Sequence, residues 1–278
     1  MQKERRSCLP RRLPARCLQA LCVMLGAVLL HTAPAVPAAP LAEVIGRIEP
    51  SVVGVGAAFP PRVPTGGKAT QRLLGSGFAI AVDGTGYVVT NAHVLPDDLD
   101  PAARERLAVY AGRGKAAQRR WASTVAVDRV HDLALLAYEG AALPALRLSQ
   151  GVLARPGERI AFTGFPIGAV LGLYPATHAG IIAAITPVAR AADRGRQLSP
   201  TQLLRLRSPF DVYQLDAIAY PGNSGSAVYR ADSGEVIGVM NSVFVKESRE
   251  NLLARPSGIA YAIPIRHLWT LIDTLPPR

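Results

Sequence analysis

The 278-residue chain reads as an all-β protein, a sandwich or a pair of barrels, with one short helix near its C-terminus. Three observations lead there. Past residue 40 the chain consists largely of short runs of Val, Ile, Ala and aromatics cut by Gly, Pro, Asn and Asp, which is how strands and their turns are written. Few segments carry the 3.6-residue apolar period of a helix. The runs also fall into two strand-rich halves of similar style, which suggests two similar barrels.

The first 38 residues stand apart. A basic start, "MQKERRSCLPRRLPARC", precedes the apolar run "LQALCVMLGAVLL" and then the small-residue stretch "HTAPAVPAAP". That is the order of a secretory signal, with cleavage expected after Ala35 or Ala38. The apolar run is shorter than the roughly 20 residues a bilayer span needs. The pairs Arg5-Arg6 and Arg11-Arg12 lack the flanking residues of a twin-arginine route. All three cysteines, Cys8, Cys17 and Cys22, lie in this segment. The exported chain would therefore hold no disulfide, although its compartment permits them.

Charge excludes some classes. The whole chain carries a formal +11. Removing the leader's six Lys/Arg and one Glu leaves 25 basic and 19 acidic residues, a net +6. That mild excess comes without a basic stripe interleaved with aromatics, so nucleic acid is not an expected partner. With no cysteine after residue 38 and no His pair at ligand spacing, no metal is expected. No Gly-rich phosphate loop stands between a strand and a helix, and no cofactor is expected.

Along residues 39–278 the elements follow in order. "PSVVGVGAAF" is a strand. "GSGFAIAV", Asp83-Gly84 and "GYVVTNAHV" form a hairpin, because Asp-Gly between apolar runs is a strong turn signal. "PDDLDPAARERLAVY" reads as a short helix beginning after Pro101. "WASTVAVD" and "DLALLAYE" are strands that complete a first half, about 41–142. In the second half, about 150–265, "RIAFTGF", "ATHAGIIAAI", "VYQLDAIA", "SAVYRADSGEVIGVM" and "GIAYAIPI" are strands. Residues 189–209 are polar, basic and poorly periodic, a long loop of the kind that is usually functional or mobile. "PIRHLWTLIDTL" closes the chain as a helix over about 265–275, with Ile265, Leu268, Trp269, Leu271 and Ile272 near one face.

One stretch raises a chemical question. In "YPGNSGSAV", residues 220–228, a turn holds a serine between glycines. A serine hydroxyl is a weak nucleophile unless a base, usually His, takes its proton and a carboxylate orients that base. Of the five histidines, His31 lies in the leader and His267 on the terminal helix. His178 sits near a strand start, and His131 directly precedes Asp132. His93 is left, where a β run ends in Thr-Asn-Ala-His. Asp132 heads the apolar run "DLALLAY", where a partly buried acid would need a partner. His93, Asp132 and Ser224 follow in that order, 39 and 92 residues apart, one of the chain orders in which such a triad occurs.

With these residues in hand, the chain resembles the chymotrypsin-fold, trypsin-like serine proteases, closest to the bacterial HtrA/Deg type. The matching pieces are "GSGFAI", "GYVVTNAHV", "DLALL", "GFPIG", "THAGIIAAI", "LDAIAYPGNSGSAV" and "GIAYAIPI" in the family's order. The resemblance implies two six-stranded antiparallel β-barrels with a short C-terminal helix. It implies a catalytic His93, Asp132 and Ser224, and an oxyanion hole from the backbone of Gly222, Asn223 and Ser224. It places the substrate pocket between Ile218, Ala219 and Tyr220 on one side and Asn241 and Ser242 on the other. Ile218 stands where a trypsin-type enzyme carries Asp, so small or aliphatic side chains are expected ahead of the cut bond. "GNSGS" also resembles glutamyl endopeptidases, with His178 near the same pocket. Ser226 departs from the glycine common after Gly225. The sequence ends soon after the terminal helix, so a PDZ module is not expected.

The expected function is that of an exported serine endopeptidase, periplasmic or secreted. Its partners would be protein or peptide substrates, with no membrane span after processing; self-association is compatible with this architecture. Two other readings stay open: a protease-fold binder with a resting, gated site, and a glutamyl-type endopeptidase.

Overall fold

Asp83 and Gly84 take φ of 47° and 76°, the left-handed values that a two-residue type I′ turn demands. They join β2 (Gln71–Val82) to β3 (Thr85–Thr90), with Val82 facing Thr85 across the turn. The expected hairpin is thus present and anchors the rest. This computed structural model describes residues 39–60, 71–102, 104–166, 172–188, 209–241 and 258–276. The leader, Ser242 and nearly all of the 189–209 loop lie outside them.

The strands β1 (Val52–Ala58), β2, β3, β4 (Arg106–Ala111), β5 (Gln118–Asp128) and β6 (Leu133–Tyr138) close a barrel in the order β1-β2-β3-β6-β5-β4. The strands β7 (Arg159–Gly164), β8 (Ala176–Pro187), β9 (Asp211–Asp216), β10 (Ala227–Arg230), β11 (Val236–Asn241) and β12 (Ile259–Pro264) close a second, in the order β10-β11-β12-β9-β8-β7. Every pairing in both is antiparallel. Among the described residues the α-helices are α1 (Leu41–Ile48) and α2 (Arg266–Ile272).

Many strands look apolar at every position because both of their faces are covered. Val88 and Leu136 point into the first barrel with Val53, Val55 and Val109. Their neighbours Val89 and Leu135 point outward into a second cluster with Phe78, Ala227, Tyr229, Val239 and Ile263. The alternation along β3, β6, β10 and β11 therefore fills a barrel with one residue and joins the two barrels with the next. Ile237 and Met240 fill the second barrel with Phe162, Tyr213 and Val228.

Two elements differ from the sequence reading. The segment after Pro101 is not a helix: residues 106–111 are β4, paired with β1 and β5. Ala, Arg and Glu favour helix locally, but Leu107, Val109 and Ala111 enter the barrel core and Ala108 and Tyr110 pack on its outside. Closing the barrel decides the outcome over local propensity. Glu105, which a surface helix would expose, is buried; it accepts from Arg72 Nε at 2.9 Å and from the Asp100 N–H at 3.0 Å. The second difference is α1, which the sequence reading does not anticipate. Val44 and Ile48 are one turn apart and pack on the barrel junction, Val44 close to Gly234 in the β10–β11 turn.

Candidate active site

His93 lies in a single 3₁₀ turn, Ala92–Val94, just past the end of β3. Asp132 lies one residue before β6, which pairs with β3. Adjacent strands thus carry base and acid to the same end of one barrel. His93 Nδ1 is 2.6 Å from Asp132 Oδ2, and the His93 backbone N–H donates to Asp132 Oδ1 at 2.9 Å. An ionised carboxylate only accepts, so Nδ1 carries the proton and Nε2 is left as the acceptor. Asp132 takes a left-handed φ of 59°, which Asp tolerates better than most residues. Its carbonyl accepts from Asn91 Nδ2 at 2.9 Å and from the Ala92 N–H at 3.2 Å. The acid is buried and held through both backbone and side chain.

Ser224 comes from the second barrel, in the loop before β10. Its carbonyl accepts from the Ser76 N–H of β2 at 2.8 Å. Gly75 shows what lies beside it: a Cβ there would meet both Val94, the residue after His93, and the Ser224 carbonyl. The serine loop is therefore laid against the histidine's turn. Ahead of the serine, the Asn223 N–H donates to the Tyr220 carbonyl at 3.0 Å. With Pro221 and then Gly222 at a φ of 100°, this is a type II turn, which needs positive φ at its third residue. Gly225 takes a φ of 88°, and a Cβ there would run into the Ser76 carbonyl oxygen. These two glycines are required by backbone conformation and close approach.

Asn241, expected beside the substrate pocket, reaches Asp132. It is fully buried, and its Nδ2 donates to Asp132 Oδ2 at 2.6 Å. Neither this role nor those of Asn91 and Ser76 follow from the sequence reading, although "TNAHV" and "GSGF" carried the signal. Asn223 is buried too, and its side-chain amide has no partner among the described residues.

Of the other expected pocket residues, Ile218 is 41% exposed, Ala219 packs against the second-barrel core, and Tyr220 is partly buried. Ser242 is outside the described residues. His178 stacks on Phe162 at 5.1 Å between ring centroids and tilts toward Tyr220 at 5.7 Å. Its Nε2 is buried without a partner among the described residues. Burial holds its imidazole below the ordinary histidine value, so the ring is neutral at pH 7.

Comparisons with known proteins agree with this architecture. The trypsin-like peptidase domain family matches residues 75–239. A probable periplasmic serine endoprotease, DegP-like, of Ectopseudomonas mendocina (strain ymp) is 31% identical over 209 residues, 74% of this chain and 35% of the relative. Serine protease HTRA3 of Rattus norvegicus is 31% identical over 225 residues, 81% of this chain and 42% of the relative. The chain thus spans less than half the length of these curated relatives. Among solved structures, an HtrA-type protease, AlgW with tripeptide, superposes with a TM-score of 0.57 at 24% identity, covering 85% of this chain and 63% of that one. The chain belongs to the trypsin-like peptidase family and is of the HtrA type.

Proposed function

We propose that the chain is a serine endopeptidase that cuts proteins after export. Ser224 Oγ attacks the scissile carbonyl carbon while its proton passes to His93 Nε2. The C–N bond then breaks as His93 returns that proton to the leaving amine, and water releases the acyl group by the same path. Asp132 keeps the imidazole in the Nδ1–H form and stabilises its charged state. The N–H groups of Gly222 and Ser224 form the oxyanion hole. The observation that carries this reading is the 2.6 Å His93–Asp132 contact, at the end of the barrel where Ser76 also holds the Ser224 carbonyl. The names of the DegP-like relatives support a periplasmic setting, and no helix among the described residues is long and apolar enough to cross a membrane.

The wall formed by Ile218 and Ala219 offers no acid to a bound Lys or Arg, so small and aliphatic side chains are the favoured residues before the cut. One observation favours a second reading. The unpartnered His178 Nε2 beside Tyr220 would suit a substrate carboxylate, as a glutamyl-type enzyme requires. The test is digestion of casein by residues 39–278 beside Ser224→Ala, with mass spectrometry of the products. The variant should lose at least about 10⁴-fold in rate. Cuts after Val, Ala or Ile support the first specificity, and cuts after Glu the second. No cleavage by the unaltered protein, with no labelling of Ser224 by a fluorophosphonate, would favour the gated binder; replacing residues 189–209 by a short Gly/Ser linker would then test the gate.

A further inference from the structure

Ser76 is a buried residue of the first barrel whose polar atoms are spent on the second barrel's serine loop and on the histidine's strand. Its N–H donates to the Ser224 carbonyl at 2.8 Å. Its hydroxyl donates to the Gly222 carbonyl at 2.6 Å and accepts from the Phe165 N–H, just past β7, at 2.8 Å. Its carbonyl accepts from Thr90 Oγ1, at the end of β3, at 2.7 Å. One residue thus holds the carbonyls on both sides of Asn223 and is itself oriented by β3 and β7.

The consequence lies in peptide orientation. A peptide unit is planar, so fixing the Gly222 carbonyl also fixes the Asn223 N–H on its opposite side. That N–H closes the Tyr220–Asn223 turn. Type I and type II turns share this closure and differ in the direction of the middle peptide, here Pro221–Gly222, and the φ of 100° at Gly222 marks this one as type II. The Gly222 N–H belongs to that middle peptide. Glycine pays little to rotate, so without an anchor the peptide could face either direction.

The geometry points to Ser76 as the positioning residue of the oxyanion hole: its hydroxyl, through the Gly222 carbonyl, holds the Gly222 N–H facing the substrate. The inference rests on the proposed triad and hole. Ser76 touches no substrate and acts through the 220–223 turn. Phe165 N–H is needed too, because it leaves the hydroxyl proton free to point at Gly222.

The experiment compares Ser76→Ala and Ser76→Thr with the unaltered protein, using a peptide substrate chosen from the casein cut sites and a peptide boronate of the same sequence. Ser76→Ala should lower kcat about 10- to 100-fold, less than the roughly 100- to 1,000-fold that losing a hole donor outright costs. Boronate affinity should fall by the same factor as kcat/KM, with the affinity for the cleaved product peptide unchanged. Ser76→Thr, which keeps the hydroxyl, should recover most of the activity. Hydrogen exchange of the 220–225 amides should speed up at least about tenfold in Ser76→Ala, with β11 unchanged. A folded Ser76→Ala within twofold of the unaltered protein in kcat, or with unaltered exchange at 220–225, overturns the inference. Should Ser76→Ala fail to fold, Ser76→Cys, which keeps the volume and weakens the donor, is judged by the same criteria. Exchange needs no turnover, so it decides the role of Ser76 even if the triad reading fails; that failure would show separately, as activity retained by Ser224→Ala.

Discussion

Single atoms decide how tightly the serine loop is held. The Ser76 carbonyl oxygen occupies the space where a Gly225 side chain would begin, and Gly225 itself takes a left-handed φ. Gly225→Ala should therefore destabilise the fold by at least about 1–2 kcal/mol from backbone conformation alone, with the clash added. Thermal unfolding would measure it, and an unchanged melting temperature would contradict the close approach. The same approach explains why the residue after Ser224 must be small. Asn241 acts at the carboxylate instead. With its amide on Asp132 Oδ2, it satisfies a carboxylate that burial would otherwise penalise.

The elements carry a second set of titrating groups that catalysis does not use. Helix α2 brings His267 against His131, in the turn between β5 and β6. The rings stack at 4.0 Å, and Phe210 meets them edge-on at 4.5 Å and 5.2 Å. Asp128 binds His131 Nδ1 at 2.6 Å from one side, and Arg266 flanks His267 from the other. Burial, then the nearby His131 and Arg266, push the His267 imidazole down to about 4. The unfolded chain protonates this ring near 6.5, so between about 6.5 and 4 only the unfolded state takes the proton. Stability from this group is complete above about 6.5 and is lost as pH falls toward 4. Partial solvent screening limits the loss to about 1–2 kcal/mol. Asp128 acts in the same direction: burial opposes its charge, but the His131 contacts outweigh that and hold it below the usual carboxylate value. Melting temperature should fall between pH 7 and pH 4.5, and His267→Phe should flatten that fall. An equal slope in the variant would place the acid sensitivity elsewhere.

Each barrel has its own core, and a further apolar cluster joins the two. The cluster between them takes Phe78, Val89, Leu133 and Leu135 from one and Ala227, Tyr229, Val239 and Ile263 from the other, with α1 and α2 residues in the same cluster. Each of β3, β6, β10 and β11 serves its own barrel on one face and the junction on the other, so unfolding one barrel strips the apolar cover from its partner. Calorimetry of residues 39–278 should show one transition with equal van't Hoff and calorimetric enthalpies. Two resolved transitions would mean that the junction contributes little. The same junction carries the proposed site, because His93 and Asp132 belong to the first barrel and Ser224 and Asn241 to the second.

Much of this was legible in short stretches. Asp83-Gly84 specifies its turn locally, the apolar runs specify strands, and a His, an Asp and a Gly-flanked Ser in one chain order mark a candidate triad, because each signal resides in a few adjacent residues. Local chemistry failed where a distant partner overrides it. Residues 106–111 favour helix until β1 and β5 demand a strand. Nothing near Asn241 in sequence shows that its amide meets Asp132, 109 positions away. Ser76 looks like one more strand residue until Gly222, 146 positions away, needs a donor. Local sequence specified most of the strands, the main turn and the reactive residue types. Only tertiary structure decided which carbonyl met which hydroxyl, because a buried polar group is satisfied by whatever the closed barrels bring within about 3 Å of it.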